Sequence, residues 1–190
     1  METSEQKAIA RCQGGEIAAF GELYDAYIKK IYDFVYYKTL HKETAEDLVS
    51  LIFTKAMEKI GTYRGEQGAF SSWLYRIARN TVIDHYRTHK KEKNVDDVWD
   101  LSGDDDIERD TDARAQLTKV EAYLQTLSAE QRDIIIMRLW QGMSHAEIAD
   151  ALGKQEGAIK VAYSRAMKEL RKNVDVLAVL LIFAAIVKNS

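Results

Sequence analysis

The stretch Gly61 to Arg87 reads GTYRGEQGAFSSWLYRIARNTVIDHYR, and its pattern decides the fold. From Phe70 onward, Phe70, Trp73, Leu74, Ile77 and Ala78 recur at the three-and-four spacing of one helix face. Arg76, Arg79, Asn80 and Arg87 fall largely off that face and point to solvent or a ligand. The loop ahead of the helix, Arg64 to Gly68, carries Gly65 and Gly68, which permit a tight backbone, and Tyr63 precedes it. Such a helix, behind a glycine-bounded loop and an aromatic, suits a single nucleic-acid strand. Arginines attract phosphates, aromatics stack on bases, and a loop can close over an extruded base. Taken alone, the stretch reads more simply as a core helix with a solvated arginine face. The rest of the chain has to choose.

The chain has 190 residues, 46% of them apolar and 30% charged, with no proline and ten glycines. With Ala, Leu, Ile, Glu and Lys frequent, that composition predicts an all-α protein of one or two small domains. The net charge of −3 is an average over unlike segments. Residues 94–112 hold nine acids and one base, a net of −8, so the remainder of the chain carries +5. Cys12 is the only cysteine, which excludes an internal disulfide and a thiolate zinc cluster. No charged-then-apolar signal segment opens the chain, so a cytoplasmic location is expected.

Working outward, a first helix is expected after Gly14-Gly15, with Ile17, Phe20, Leu23, Tyr24, Tyr27, Ile28, Ile31, Phe34 and Val35 as its apolar stripe. A second begins near Thr44 as N-cap, with Ala45, Leu48, Val49, Ile52, Phe53, Ala56 and Ile60 inward. With the helix from Phe70 they form a three-helix unit over residues 1–92. Residues 93–112 read as a flexible acidic linker. Periodicity resumes at Ala113 through Leu117, Val120, Leu124 and Leu127. Ser128 with Gln131, and Ser144 with Glu147, have the spacing of capping boxes, each opening a helix. Gln141-Gly142 ends the first, Gly153 the second, and another helix runs from Gln155 to about Asn173. A short capped helix, a turn and a longer helix form a helix-turn-helix pattern sized for the major groove; a plain helical hairpin is the bland alternative.

With both units assembled, the chain resembles the extracytoplasmic-function (ECF) sigma factors of the sigma-70 family. Ala18, Phe20, Leu23 and Tyr24 are similar to that family's opening helix, and Ala45, Glu46, Asp47, Leu48, Val49 and Phe53 to its polymerase-binding helix. Phe70, Trp73, Leu74, Ile77, Ala78, Arg79, Asn80, Asp84 and Arg87 resemble its −10 and melting helix. Leu127, Arg132, Glu147, Leu152, Gly153, Gly157, Ile159, Lys160, Arg165 and Leu170 resemble its −35-binding domain.

The resemblance implies a promoter-recognition subunit with no catalysis, cofactor or metal of its own. Asp47, Leu48, Ser50 and Phe53 would dock on the β′ clamp helices of core RNA polymerase, which also offers its β subunit. Tyr63, Arg64, Gly65, Gly68 and Asn80 would take up an unstacked base of the −10 strand, with Arg76, Arg79 and Arg87 on phosphates. Arg138, Gln155, Ala158, Lys160, Val161, Ser164 and Arg165 would meet the −35 duplex. The acidic linker would thread the polymerase channels, where a negative chain imitates nucleic acid. An anti-sigma factor is an expected partner. Val161-Ala162 stands where the family often has Ser-Arg, which points to apolar readout of a thymine methyl by Val161 or Ala158.

Residues 174–190 form an apolar C-terminal extension whose segment 174–187, VDVLAVLLIFAAIV, is expected to be helical. Its length as a helix, about 21 Å, falls short of a bilayer core. It is expected to pack on another surface: a second copy, the chain's own domains as a brake, or a membrane protein. His85 and His89, four apart, lack a third ligand and read as a solvated or phosphate-facing pair. The rival readings are a stand-alone helix-turn-helix regulator binding duplex DNA, and an interaction protein nucleated by the apolar tail.

Overall fold

A computed structural model of the chain describes residues 3–90, 122–124 and 126–172, with backbone alone for Gln67, His89 and Lys90. Every regular element among them is helical, as the composition predicts. The chain divides into two compact units, Met1–Leu101 and Ser102–Ser190.

The first unit holds four helices rather than three. α1 (Ser4–Gln13) precedes the paired glycines and starts at a capping box: the Thr3 hydroxyl accepts the Gln6 N–H, and the Thr3 N–H donates to Oε1 of Gln6. It stops at Gly14, and Gly15 then takes a φ of +99°. Its three buried residues, Ala8, Ile9 and Cys12, make too short a stripe for periodicity alone to show.

α2 (Phe20–Thr39) buries Phe20, Leu23, Tyr27, Ile31, Phe34 and Val35 at helical spacing, while Ile17 and Tyr24 of the expected stripe lie open. α3 (Lys42–Lys59) begins two residues before the expected N-cap. His41 takes that place, because its Nδ1 accepts the Thr44 N–H at 3.2 Å as a Ser or Asp oxygen would. The expected inner stripe of α3 is buried throughout, from Ala45 to Ile60.

α4 (Phe70–Lys90) packs against α2 and α3. Its buried line is Phe70, Leu74, Tyr75, Ala78 and Val82; Trp73 and Ile77, expected inside, are half-buried at its edge. The rotation follows from aromatic packing. Tyr75 stands edge-on to Phe34 at 5.2 Å, and Phe70 meets Tyr27 at 5.5 Å. Burial drives the Tyr75 hydroxyl well above its ordinary pKa, so it remains neutral.

In the second unit, Ser128 and Gln131 cap α5 (Ala129–Ile135) with both reciprocal bonds, and Ser144 and Glu147 cap α6 (His145–Leu152) likewise. Between them the helix widens to a π-turn, Ile136–Trp140, before Gly142 at φ +66° ends it. Gly153 at φ +64° terminates α6, and α7 (Glu156–Leu170) follows with Gln155 at its N-cap. Ile134, Ile135, Met137, Ile148, Ile159 and Leu170 form the core. The linker, residues 113–121 and the apolar extension lie outside the described residues.

Candidate nucleic-acid interface

The approach to α4 is a built site. The Tyr63 ring lies 5.4 Å from Phe70 and 5.7 Å from Trp73, and Phe70 and Trp73 are 5.4 Å apart. The Tyr63 hydroxyl donates to the Gly68 carbonyl at 3.0 Å and closes the loop on itself. Gly68 holds φ 131°, ψ 174°, a region open in practice only to glycine. Arg64, exposed, donates to the carbonyls of Gly61 (2.8 Å) and Tyr63 (2.9 Å), so it steadies the turn as well as supplying charge. From α1, the Gln13 carboxamide donates to the carbonyls of Ile60 (3.1 Å) and Tyr63 (3.0 Å). A groove of about 470 Å³ runs between α1 and this loop, lined by Thr3, Gln6, Ile9, Gln13, Tyr63 and Gly68 among others.

Tyr63, Gly65 and Gly68 are thus gathered with Trp73 at the N-terminal end of α4. Asn80 lies seven residues beyond Trp73 on the same side of the helix, about 10 Å along it. Arg76, Asn80 and Arg87 are exposed and Arg79 is half-buried. Arg87 meets Asp84 at 3.1 Å, with both side chains open to solvent, a contact that a phosphate can displace. The structure therefore makes an aromatic platform at one end of α4 and a cationic, amide-bearing track beyond it. Trp73 is the platform residue that periodicity assigned to the core. Gln13 had no signal in the sequence, because its partners are backbone atoms 47 and 50 residues away.

On α3, Asp47 and Ser50 are exposed, whereas Leu48 (4%) and Phe53 (5%) are buried; Leu51, beside them, is 44% exposed. Phe53 forms the floor of an apolar groove between α2 and α3, with Tyr24 4.7 Å from its ring and Ile28, Val49 and Met57 in the walls.

On α7, Gln155, Ala158, Lys160, Val161, Ser164 and Arg165 are all exposed, with Val161 at 50%. Ala158, Val161 and Arg165 fall at i, i+3 and i+7, one stripe on the outer face. Lys160 pairs with Glu156 at 2.7 Å, and its hydrogen bond holds the Glu156 carboxyl below the usual carboxylate range. Arg138 is half-buried at the π-turn and donates to the Met143 carbonyl at 2.8 Å, so it fastens the turn between α5 and α6. No cluster that could hold a metal ion occurs among the described residues, and none of their helices is long and apolar enough to cross a membrane.

The family model for sigma-70 region 2 matches residues 23–92, and that for sigma-70 region 4 matches residues 117–170. The ECF RNA polymerase sigma factor BldN of Streptomyces coelicolor is 36% identical over 168 residues, which are 86% of this chain and 63% of that one. The ECF RNA polymerase sigma factor SigX of Bacillus subtilis is 30% identical over 165 residues, 83% of this chain and 84% of its own. Among solved structures, the sigma factor RpoE of Bartonella quintana, crystallised with the anti-sigma factor NepR, superposes with a TM-score of 0.68 at 25% identity. That match covers 83% of this chain and 97% of RpoE. CnrH, solved with the cytosolic domain of CnrY, shares the fold, with a TM-score of 0.71 at 23% identity over 91% of this chain and 98% of its own. A region 2 match ahead of the helix-turn-helix leaves the stand-alone regulator without support. The chain belongs to the ECF RNA polymerase sigma factors of the sigma-70 family, whose work is transcription initiation.

Proposed function

We propose that residues 1–92 bind core polymerase and open the −10 region, that residues 113–173 hold the −35 duplex, and that residues 93–112 are the acidic linker between them. The observation that carries this reading is the aromatic platform of Tyr63 and Trp73, continued by Asn80 and the arginines of α4. Unstacking a base costs a few kcal/mol, and aromatic stacking returns about 1–3 kcal/mol per base, so a platform with an amide nearby can hold one base out of the duplex. Arg76, Arg79 and Arg87 then neutralise adjoining phosphates. Asp47 and Ser50, with Leu51, present the surface of α3 to the polymerase, and the buried Leu48 and Phe53 hold that surface in shape. α7 lies in the major groove with Ala158, Val161 and Arg165 toward base edges and Lys160 toward phosphate, while Arg138 orders the turn in front. Two modest DNA contacts held on one polymerase gain effective concentration, and neither has to be tight alone. The protein acts in the cytoplasm without catalysis. Its partners include an anti-sigma factor, as NepR is for RpoE, and its apolar extension acts as a brake on the binding surfaces.

The test is co-elution with bacterial core polymerase, followed by single-strand probing of a promoter selected with the resulting holoenzyme. Stable co-elution with reactive thymines at a −10 region supports the reading; a protein that footprints duplex DNA yet never joins core polymerase overturns it. Recovery of core binding only after removal of residues 174–190 identifies the extension as the brake.

Arg165→Ala is expected to weaken −35 duplex binding by roughly ten-fold if it meets a base, or to lower the salt slope by about 1 if it meets a phosphate. Titration of a labelled −35 duplex at several salt concentrations separates the two.

A further inference from the structure

α1 is fastened to the bundle along its length. Ala8, Ile9 and Cys12 are buried, and the Tyr27 hydroxyl donates to the Glu5 carboxylate at 2.5 Å. Arg11 reaches Glu16 and Glu22, each at 2.5 Å, and these hydrogen bonds hold its guanidinium above its ordinary pKa. Gln13, the last residue of the helix, turns the other way. Its Nε2 donates to two backbone carbonyls, those of Ile60 and Tyr63, which bracket the 3₁₀ turn Ile60–Thr62. A carboxamide nitrogen has two N–H groups, and each carbonyl here can take one. The loop's own side chains bond within it: Thr62 to the Lys59 carbonyl, Arg64 to those of Gly61 and Tyr63, and Tyr63 to that of Gly68. Gln13 reaches it from another helix.

We propose that Gln13 is a positioning residue for strand opening: its carboxamide fixes the backbone of Tyr63, and with it the pose in which that ring receives an extruded base. The inference rests on Tyr63 being the base-stacking residue. A free loop residue has to be ordered at the moment of binding, and a pre-set loop has already met that entropic cost. Because α1 is anchored to α2, the carboxamide is a fixed reference and not another mobile group.

The chemistry supplies a sharp set of variants. Gln13→Glu keeps the shape but, ionised, has no donor and sets a charge against two carbonyl oxygens. Gln13→Lys keeps donors at that point. Holoenzymes carrying Gln13→Glu, Gln13→Lys, Tyr63→Ala and the unaltered chain would be compared on a selected promoter with 2-aminopurine at the extruded −10 position. With two bonds lost, Gln13→Glu is expected to reduce the fluorescence-detected opening constant roughly ten-fold. Core affinity and −35 duplex binding should stay within two-fold of the unaltered chain, and Gln13→Lys should restore most of the opening. Opening by Gln13→Glu equal to that of the unaltered chain, beside a defective Tyr63→Ala, overturns the positioning role alone. A parallel loss of core affinity and opening, unrescued by lysine, shows a merely structural bond and also overturns it. Full opening by Tyr63→Ala removes the strand-capture reading and this inference with it.

Discussion

Replacing Phe34 with alanine is expected to destabilise the first unit by about 3–5 kcal/mol, the usual loss for a buried phenylalanine. Phe34 is fully buried on α2, its ring is met edge-on by Tyr75 of α4 at 5.2 Å, and the Lys38 ammonium lies 5.4 Å from its centroid. Truncation would leave a void between α2 and α4, the helix that carries Asn80 and the arginines of the proposed site, and Tyr75, wholly buried, has no route outward to fill it. Domains of this size are stable by only about 5–15 kcal/mol, so such a loss leaves a substantial unfolded fraction on mild heating. Urea unfolding followed by circular dichroism checks it. A shift below about 1 kcal/mol would mean that α2 and α4 do not meet through this pair. Phe34→Leu, which keeps most of the volume, should cost well under half as much.

Tyr63→Ala should produce the largest loss of function among changes that leave the core intact. An aromatic that stacks on a base contributes about 1–3 kcal/mol by alanine substitution, which is a fall of roughly five- to 150-fold in strand opening. Tyr63 is half-buried, so removing its ring also uncovers Phe70 and Trp73, which flank it at 5.4 and 5.7 Å. Tyr63→Phe keeps the platform and loses one hydrogen bond to the Gly68 carbonyl, a cost of about 1 kcal/mol at most. Permanganate reactivity of the −10 strand in holoenzyme, against polymerase co-elution as control, reads both. Equal opening by the alanine variant would remove Tyr63 from the site.

Much of this is legible in the sequence. Ala45 to Ile60 repeat at helical spacing and are buried as expected, because a helix that packs on one side needs only that pattern to choose its face. Ser128 with Gln131 and Ser144 with Glu147 form the capping boxes their spacing predicts, since both bonds are made within one turn. The outer residues of α7 were equally readable, as polar and small residues opposite Ile159 and Leu170 have nowhere else to go. α1 does not stand out in the sequence although Thr3 and Gln6 carry the same signature, because its apolar stripe is too short.

What the sequence determined by itself is therefore local: helix composition, caps, and the polarity of each exposed face. Tertiary structure alone decided the rest. It turned α4 so that Tyr75 went inward and Trp73 came to the edge, because Phe34 and Tyr27 of α2 supply partners that no periodicity in α4 can reveal. It placed His41 where Thr44 was expected. It also brought Gln13 to the Tyr63 loop across 50 residues. Local signals arise from bonds within a turn, which neighbouring residues encode. Contacts between distant segments depend on how several helices fill space together, and that is a property of the packed chain.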